Sequence, residues 1–183
     1  MSVKVTFLRG VNMAGHCTIK MADLLSLYKK LGFKDAVNYI QSGNVVFTSD
    51  YDVEKIASDI ENAILKKFNY NVPVMVRTAE AIQKIKHLNP YLQDKDFEPA
   101  KSSVIFLLNE PDNDQLARVA DINYPPDSFK IIGREIFIYC PNGFGRTKLY
   151  TNFFENKMKV TGTARNWKTM TAIAEIASDF KRK

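Results

Sequence analysis

Residues 36–48 read Ala36-Val37-Asn38-Tyr39-Ile40-Gln41-Ser42-Gly43-Asn44-Val45-Val46-Phe47-Thr48. β-branched and aromatic side chains fill both sides of Ser42-Gly43, a dipeptide with turn chemistry. The segment therefore predicts a β-hairpin with arms Ala36–Gln41 and Val45–Thr48. Its flanks decide the fold. Before it, Leu24, Leu25, Tyr28 and Leu31 recur at helical spacing from about Met21, and Gly32 stops the helix. After it, Val53, Ile56, Ile60, Ile64 and Phe68 mark a second helix over Asp52–Phe68. Two further strands complete the set. Val3–Arg9 alternates Val3, Val5 and Phe7 with Lys4 and Thr6, and Val72–Arg77 closes the series with Pro73 placing it at a sheet edge. The order is βαββαβ.

The remainder reads as a second pass through the same order. Ala79–Leu88 predicts a linking helix, and Asn89–Lys101 a linker in which Pro90, Pro99 and polar residues interrupt periodicity. Strand Ser103–Leu108 and short helix Asp112–Ala120 follow. Phe129–Ile132 and Glu135–Tyr139 then form a hairpin around Gly133-Arg134. A helix over Lys148–Met158 and a short strand near Val160–Thr163 complete the repeat, the strand disfavoured by Gly162. Helix Lys168–Phe180 is added at the end, with Met170, Ile173, Ala174, Ile176, Ala177 and Phe180 on its apolar face. The expected fold is α+β, two tandem ferredoxin-like subdomains with antiparallel sheets and an added C-terminal helix. The expected division is 1–88, a linker over 89–101, and 102–183.

This topology places polar segments. The first and second strands of such a sheet run the same way, with the third antiparallel between them. The loop after strand one, Arg9-Gly10-Val11-Asn12, should meet the turn Gln41-Ser42-Gly43-Asn44. In the second half, Phe144-Gly145-Arg146-Thr147-Lys148 should share an end with Arg165-Asn166-Trp167.

Composition narrows the function classes. The 183 residues carry 26 Lys and Arg against 20 Asp and Glu, a net charge of +6 that favours anionic partners. The basic residues are scattered in pairs, two of them at expected helix C-termini, where cations complement the helix dipole. The longest apolar run, Val104–Leu108, is too short to span a bilayer, and Lys4 interrupts the N-terminal apolar stretch where a signal peptide needs an unbroken core. A cytoplasmic protein with no membrane partner is the expectation. Cys17 and Cys140 show neither metal-ligand nor redox-motif spacing, so no metal site is expected.

Gly10 and Gly15 have the spacing of a phosphate-binding P-loop, but His16 stands where its lysine belongs and Cys17 where its Ser or Thr would hold magnesium. That motif is rejected. Free amides at the next helix N-terminus can still hold an anion, with Lys20 beside them. Gln41 can present an amide to a ligand. Asn166 fits a helix cap and Trp167 a core position; alternatively, with Arg146, Lys148 and Arg165 they form a basic patch beside an aromatic plate, suited to a base and its phosphate. Val45-Val46-Phe47 lacks the aromatic signature of RNA-recognition domains. His16 and His87 lie far apart in sequence without an obvious acid partner, and the pattern names no cofactor.

Phe7-Leu8-Arg9-Gly10-Val11-Asn12, Tyr39-Ile40-Gln41-Ser42-Gly43-Asn44-Val45 and Thr163-Ala164-Arg165-Asn166-Trp167 together resemble the largely bacterial family catalogued as domain of unknown function 1697. Arg146 to Leu149 resembles that family's small-residue-Lys-Leu segment. Ala14-Gly15-His16 departs from the glycine pair common in members. The resemblance implies two α+β subdomains akin to the ferredoxin-like fold and no established activity.

The leading expectation is a binding module for a phosphate-bearing ligand, a nucleotide or nucleic acid, using Arg9, Asn12, Lys20, Gln41, Asn44, Arg146, Lys148, Arg165, Asn166 and Trp167. An enzyme of unassigned class acting on a small anionic substrate, and a protein-interaction scaffold, are the rival readings. They differ in what they require: a deep pocket with a perturbed titratable group, or an exposed apolar patch.

Overall fold

The computed structural model describes residues 1–13, Gly15 and 17–180. Ala14 and His16 of the glycine loop, and the basic run Lys181-Arg182-Lys183, lie outside the described residues. The chain forms two compact units, one comprising residues 1–84 and the segment from Ala172 onward, the other Ile85–Thr171. Together they contain two four-stranded antiparallel sheets and their helices, an α+β architecture.

The first unit runs β1 (Ser2–Leu8), α1 (Met21–Lys30), β2 (Val37–Tyr39), β3 (Asn44–Ser49), α2 (Val53–Phe68) and β4 (Val74–Thr78). Its strand order is β2-β3-β1-β4, so β4 lies at an edge as Pro73 predicts. Phe7 stands opposite Asn44, and Val5 opposite both Val46 and Arg77. Leu8, Val45, Phe47, Val74 and Val76 form a core with Leu24, Leu27 and Tyr28 of α1 and Ile56, Ile60 and Ile64 of α2. The helix spacings read in the sequence supply this core, since i, i+4 and i+8 of α2 share one face.

The hairpin's incoming arm is shorter than Ala36–Gln41 because Ile40 adopts a left-handed conformation and ends β2 at Tyr39. Gly32 ends α1 as expected. Its amide bonds the Lys29 carbonyl and the Phe33 amide reaches back to Tyr28, while the Tyr28 and Phe33 rings meet at 6.0 Å. A polar pair lies within this core. The Thr6 and Tyr28 hydroxyls share a 2.7 Å hydrogen bond, and burial pushes the Tyr28 hydroxyl well above its ordinary range.

The second unit contains β5 (Ser102–Leu107), α4 (Asn113–Ala117), β6 (Ser128–Ile132), β7 (Glu135–Tyr139), α5 (Thr151–Met158) and β8 (Gly162–Asn166), in strand order β6-β7-β5-β8. Ile105, Leu107, Ile136, Ile138 and Cys140 pack with Val119, Leu149, Phe154 and Met158. Helix α3 (Ala79–Leu88) follows β4, and α6 (Trp167–Phe180) follows β8. The boundary between the units falls inside both of these helices.

Strand β8 corrects the sequence reading. It covers Gly162–Asn166 rather than Val160–Thr163, and Gly162 is required in it rather than tolerated. A Cβ there would stand 2.8 Å from Ile105 Cγ2 and 3.2 Å from the Phe106 carbonyl oxygen. The glycine marks a close approach of strands, not a break.

Candidate functional site

The two polar segments of the first unit meet as the topology requires. Asn12, left-handed at φ 56°, donates Nδ2 to the carbonyls of Ile19 and Gln41, each at 2.9 Å, and accepts the Ile19 amide at 2.8 Å. One side chain thus ties the loop after β1 to the hairpin turn. The Leu8 amide adds a 2.9 Å bond to the Gly43 carbonyl. Gly43 has φ 70°, and a Cβ on it would lie 2.8 Å from Leu8 Cβ. Asn44 is buried and donates to the Tyr39 carbonyl at 3.0 Å and the Ser42 hydroxyl at 2.9 Å. Asn12 and Asn44 therefore direct their amides inward, onto the loop after β1 and the hairpin turn. Lys20 and Gln41 are exposed at the same end, Lys20 preceding α1 without capping it. Arg9 is half-buried beside β1.

The C-terminal motif is mostly interior. Arg165 is buried on β8, and its guanidinium donates to the Thr163 hydroxyl at 2.8 Å and the Ala164 carbonyl at 2.7 Å. Burial lowers its pKa to about 10. Asn166 accepts the Thr169 amide at 2.7 Å and so caps α6. Trp167 is buried with its ring 6.3 Å from Phe137. The end of β4 repeats this arrangement. Buried Arg77 donates to the Val76 carbonyl at 3.0 Å, and Thr78 accepts the Ala81 amide at 3.2 Å at the start of α3.

Arg146 and Lys148 are placed differently. Both are exposed and line a cleft of about 820 Å³ in the second unit. Its walls are the segments 123–127 and 142–148, including Tyr124, Asp127 and Asn142. Arg165, Asn166 and Trp167 are not among its lining residues. Neither Arg146 nor Lys148 forms an ion pair among the described residues. Lys148 Nζ sits 5.1 Å from the centre of the Tyr124 ring, a cation–π contact that fixes the ammonium at the wall.

The loop that carries the two cations is shaped by its sequence. Gly143 adopts φ 80° and ψ 169°, a region essentially reserved for glycine, and turns the chain after β7. A single 3-10 turn, Phe144–Arg146, follows, and the Tyr150 hydroxyl donates to the Phe144 carbonyl at 2.7 Å. The Thr147 hydroxyl accepts the Leu149 amide at 3.1 Å, anchoring the far side. Behind Thr147 and Asp127, burial pushes the Cys140 thiol up, a Thr147 hydrogen bond opposes it, and the Asp127 carboxylate adds to the rise. A thiol held protonated is the reverse of an activated nucleophile.

A second cavity, about 490 Å³, is lined by Asp94, Asp96 and Glu98 with Lys95 and Lys101. Lys101 is held by Glu98 at 2.6 Å, so this cavity is acidic in balance. No group of three or more His, Cys, Asp or Glu among the described residues is arranged to hold a metal ion. No helix among them is long and apolar enough to cross a membrane.

Residues 1–137 match the family described as "Protein of unknown function (DUF1697)". The chain belongs to this family. The matched residues include the Asn12 loop and the Ser42-Gly43 turn, whereas the cations of the cleft and the Thr163–Trp167 segment lie beyond them. Among solved structures, conserved bacterial protein SP0830 from Streptococcus pneumoniae superposes with a TM-score of 0.74 over 96% of this chain and 98% of its own, at 21% identity. That likeness is one of fold. No curated protein matches the chain.

Sequence reasoning missed the 123–127 wall. Tyr124-Pro125-Pro126-Asp127 was readable as a turn ahead of a strand, and Pro-Pro followed by Asp was the available signal. It also missed Ile40, a β-branched residue at φ 51° that is 47% exposed. Side chains of that shape rarely occupy the left-handed region.

Proposed function

We propose that the cleft bounded by 123–127 and 142–148 binds the phosphate of a phosphate-bearing ligand, a nucleotide or nucleic acid. The observation that carries this is the pair of exposed cations, Arg146 and Lys148, lining one cleft and forming no ion pair among the described residues. A structural cation at a surface is normally neutralised or dispersed; two on one wall, one held against an aromatic ring, favour an anion. The volume falls within the range of small-molecule sites. Lys20 and Gln41 form at most an accessory contact in this reading, and Trp167, Asn166 and Arg165 serve the fold.

The same reading takes each unit as ferredoxin-like and the chain as a duplication. Both sheets share one strand order, and both fourth strands end in a buried arginine followed by a helix-capping residue. Cytoplasmic residence in a bacterium belongs to this proposal and is supported by two free cysteines.

Calorimetric titration at low salt with adenine nucleotides and short oligonucleotides tests the proposal. Binding should weaken with added salt and fall at least about tenfold in Arg146→Ala/Lys148→Ala, the equivalent of losing a charge-assisted hydrogen bond. Absence of binding at low salt, or equal affinity in the double variant, contradicts it.

A further inference from the structure

Asp127 lines the same cleft as Arg146 and Lys148, and it forms no ion pair among the described residues. A carboxylate is out of place in a site meant for bare phosphate, because it repels the anion that the two cations attract. It only accepts hydrogen bonds, and beside its hydrogen bond with the Cys140 thiol its oxygens keep lone pairs that complement the hydroxyls of a sugar. Asn123 and Asn142, also in the lining, offer amides that donate and accept. The cleft is far larger than one phosphate ion requires. Its aromatic wall is already engaged, with Lys148 over the Tyr124 ring and Phe153 edge-on to it at 5.9 Å and 74°. That leaves little for a nucleobase to stack on.

We infer that the cleft selects a phosphate ester carried on a hydroxyl-bearing sugar, with Arg146 and Lys148 holding the phosphate and Asp127 accepting from the sugar hydroxyls. This rests on the phosphate-binding reading and narrows its ligand class. The base of a nucleotide is then a passenger, and free sugar phosphates and nucleoside monophosphates share the recognised part. Asp127 is also placed to resist inorganic phosphate, which offers few protons to a carboxylate at neutral pH.

The test is a calorimetric comparison of inorganic phosphate, n-pentyl phosphate, ribose 5-phosphate and adenosine monophosphate on the full chain. Ribose 5-phosphate should bind at least about tenfold tighter than either inorganic phosphate or pentyl phosphate, the scale of one hydrogen bond to a charged acceptor. Adenosine monophosphate should match ribose 5-phosphate within about threefold, well below the gain that base stacking gives. Asp127→Asn should shrink the preference for ribose 5-phosphate over inorganic phosphate to within about threefold, weakening the first and strengthening the second. If none of the four probes binds, the phosphate reading itself falls. If inorganic or pentyl phosphate binds as tightly as ribose 5-phosphate, or the preference survives Asp127→Asn, that reading stands and the sugar inference is overturned. A tenfold or greater advantage for adenosine monophosphate over ribose 5-phosphate overturns it too, by making the base the recognised part. The wild-type comparisons decide the matter even if Asp127→Asn does not fold.

Discussion

The loop-and-turn end of the first unit and the cleft of the second are built from similar residues, asparagines, glycines and basic side chains. They use them in opposite ways. Asn12 places three hydrogen bonds on the backbone around it, and Asn44 is buried with two of its own. Arg146 and Lys148 form no ion pair among the described residues. A motif-like cluster of polar residues is thus not by itself a binding site. What separates the two cases is whether the hydrogen-bonding capacity is already filled from within.

Substitutions should expose that contrast, starting with the tightest contact. Gly43→Ala should destabilise the protein by about 2–4 kcal/mol, from the clash with Leu8 and the loss of glycine's left-handed freedom. Denaturant unfolding monitored by circular dichroism measures it. Asn12→Ala should cost about 2–3 kcal/mol by the same method, because the Ile19 amide and two carbonyls lose their partner together.

Tyr28→Phe should cost about 1 kcal/mol and also change the pH profile. The buried tyrosine keeps its proton in the folded chain, while the unfolded chain releases it near its ordinary pKa of 10.0. Above that pH the unfolded state binds fewer protons, so stability falls as pH rises. The Phe variant should lose this part of the alkaline slope. Arg146→Ala/Lys148→Ala should lie within about 0.5 kcal/mol of wild type in stability while losing ligand affinity. A large stability cost there, or none at Asn12, would erase the distinction between the two regions.

Much of the fold was legible because periodicity reports burial. Val53, Ile56, Ile60 and Ile64 mark α2, and the Ser42-Gly43 turn sets the hairpin. Strand β8 was misplaced because Arg165 and Asn166 read as a polar segment and cap beyond the strand, and Gly162 as a weakness within it; the glycine's close approach to Ile105 is a tertiary fact with no local signature. The candidate site was half legible. Arg146 and Lys148 are visible as cations in a glycine-bearing loop, whereas pairing them with Arg165 and Trp167 required knowing which side chains the sheet buries. Sharing one end of a sheet did not put them in one cleft. Nothing in the spacing of Tyr124 and Asp127 connects them to Arg146; only the structure brings the two walls together.

The central claim is that the second unit's cleft, and not the first unit's loop and turn, receives the phosphate. Amide chemical-shift mapping during titration with adenosine monophosphate tests it most directly. The account predicts the largest shifts at Gly143, Gly145, Arg146, Thr147 and Asp127, with little change at Asn12, Gln41 and Gly43. Shifts concentrated at Asn12, Lys20 and Gln41, with Gly143 through Lys148 unmoved, would contradict it.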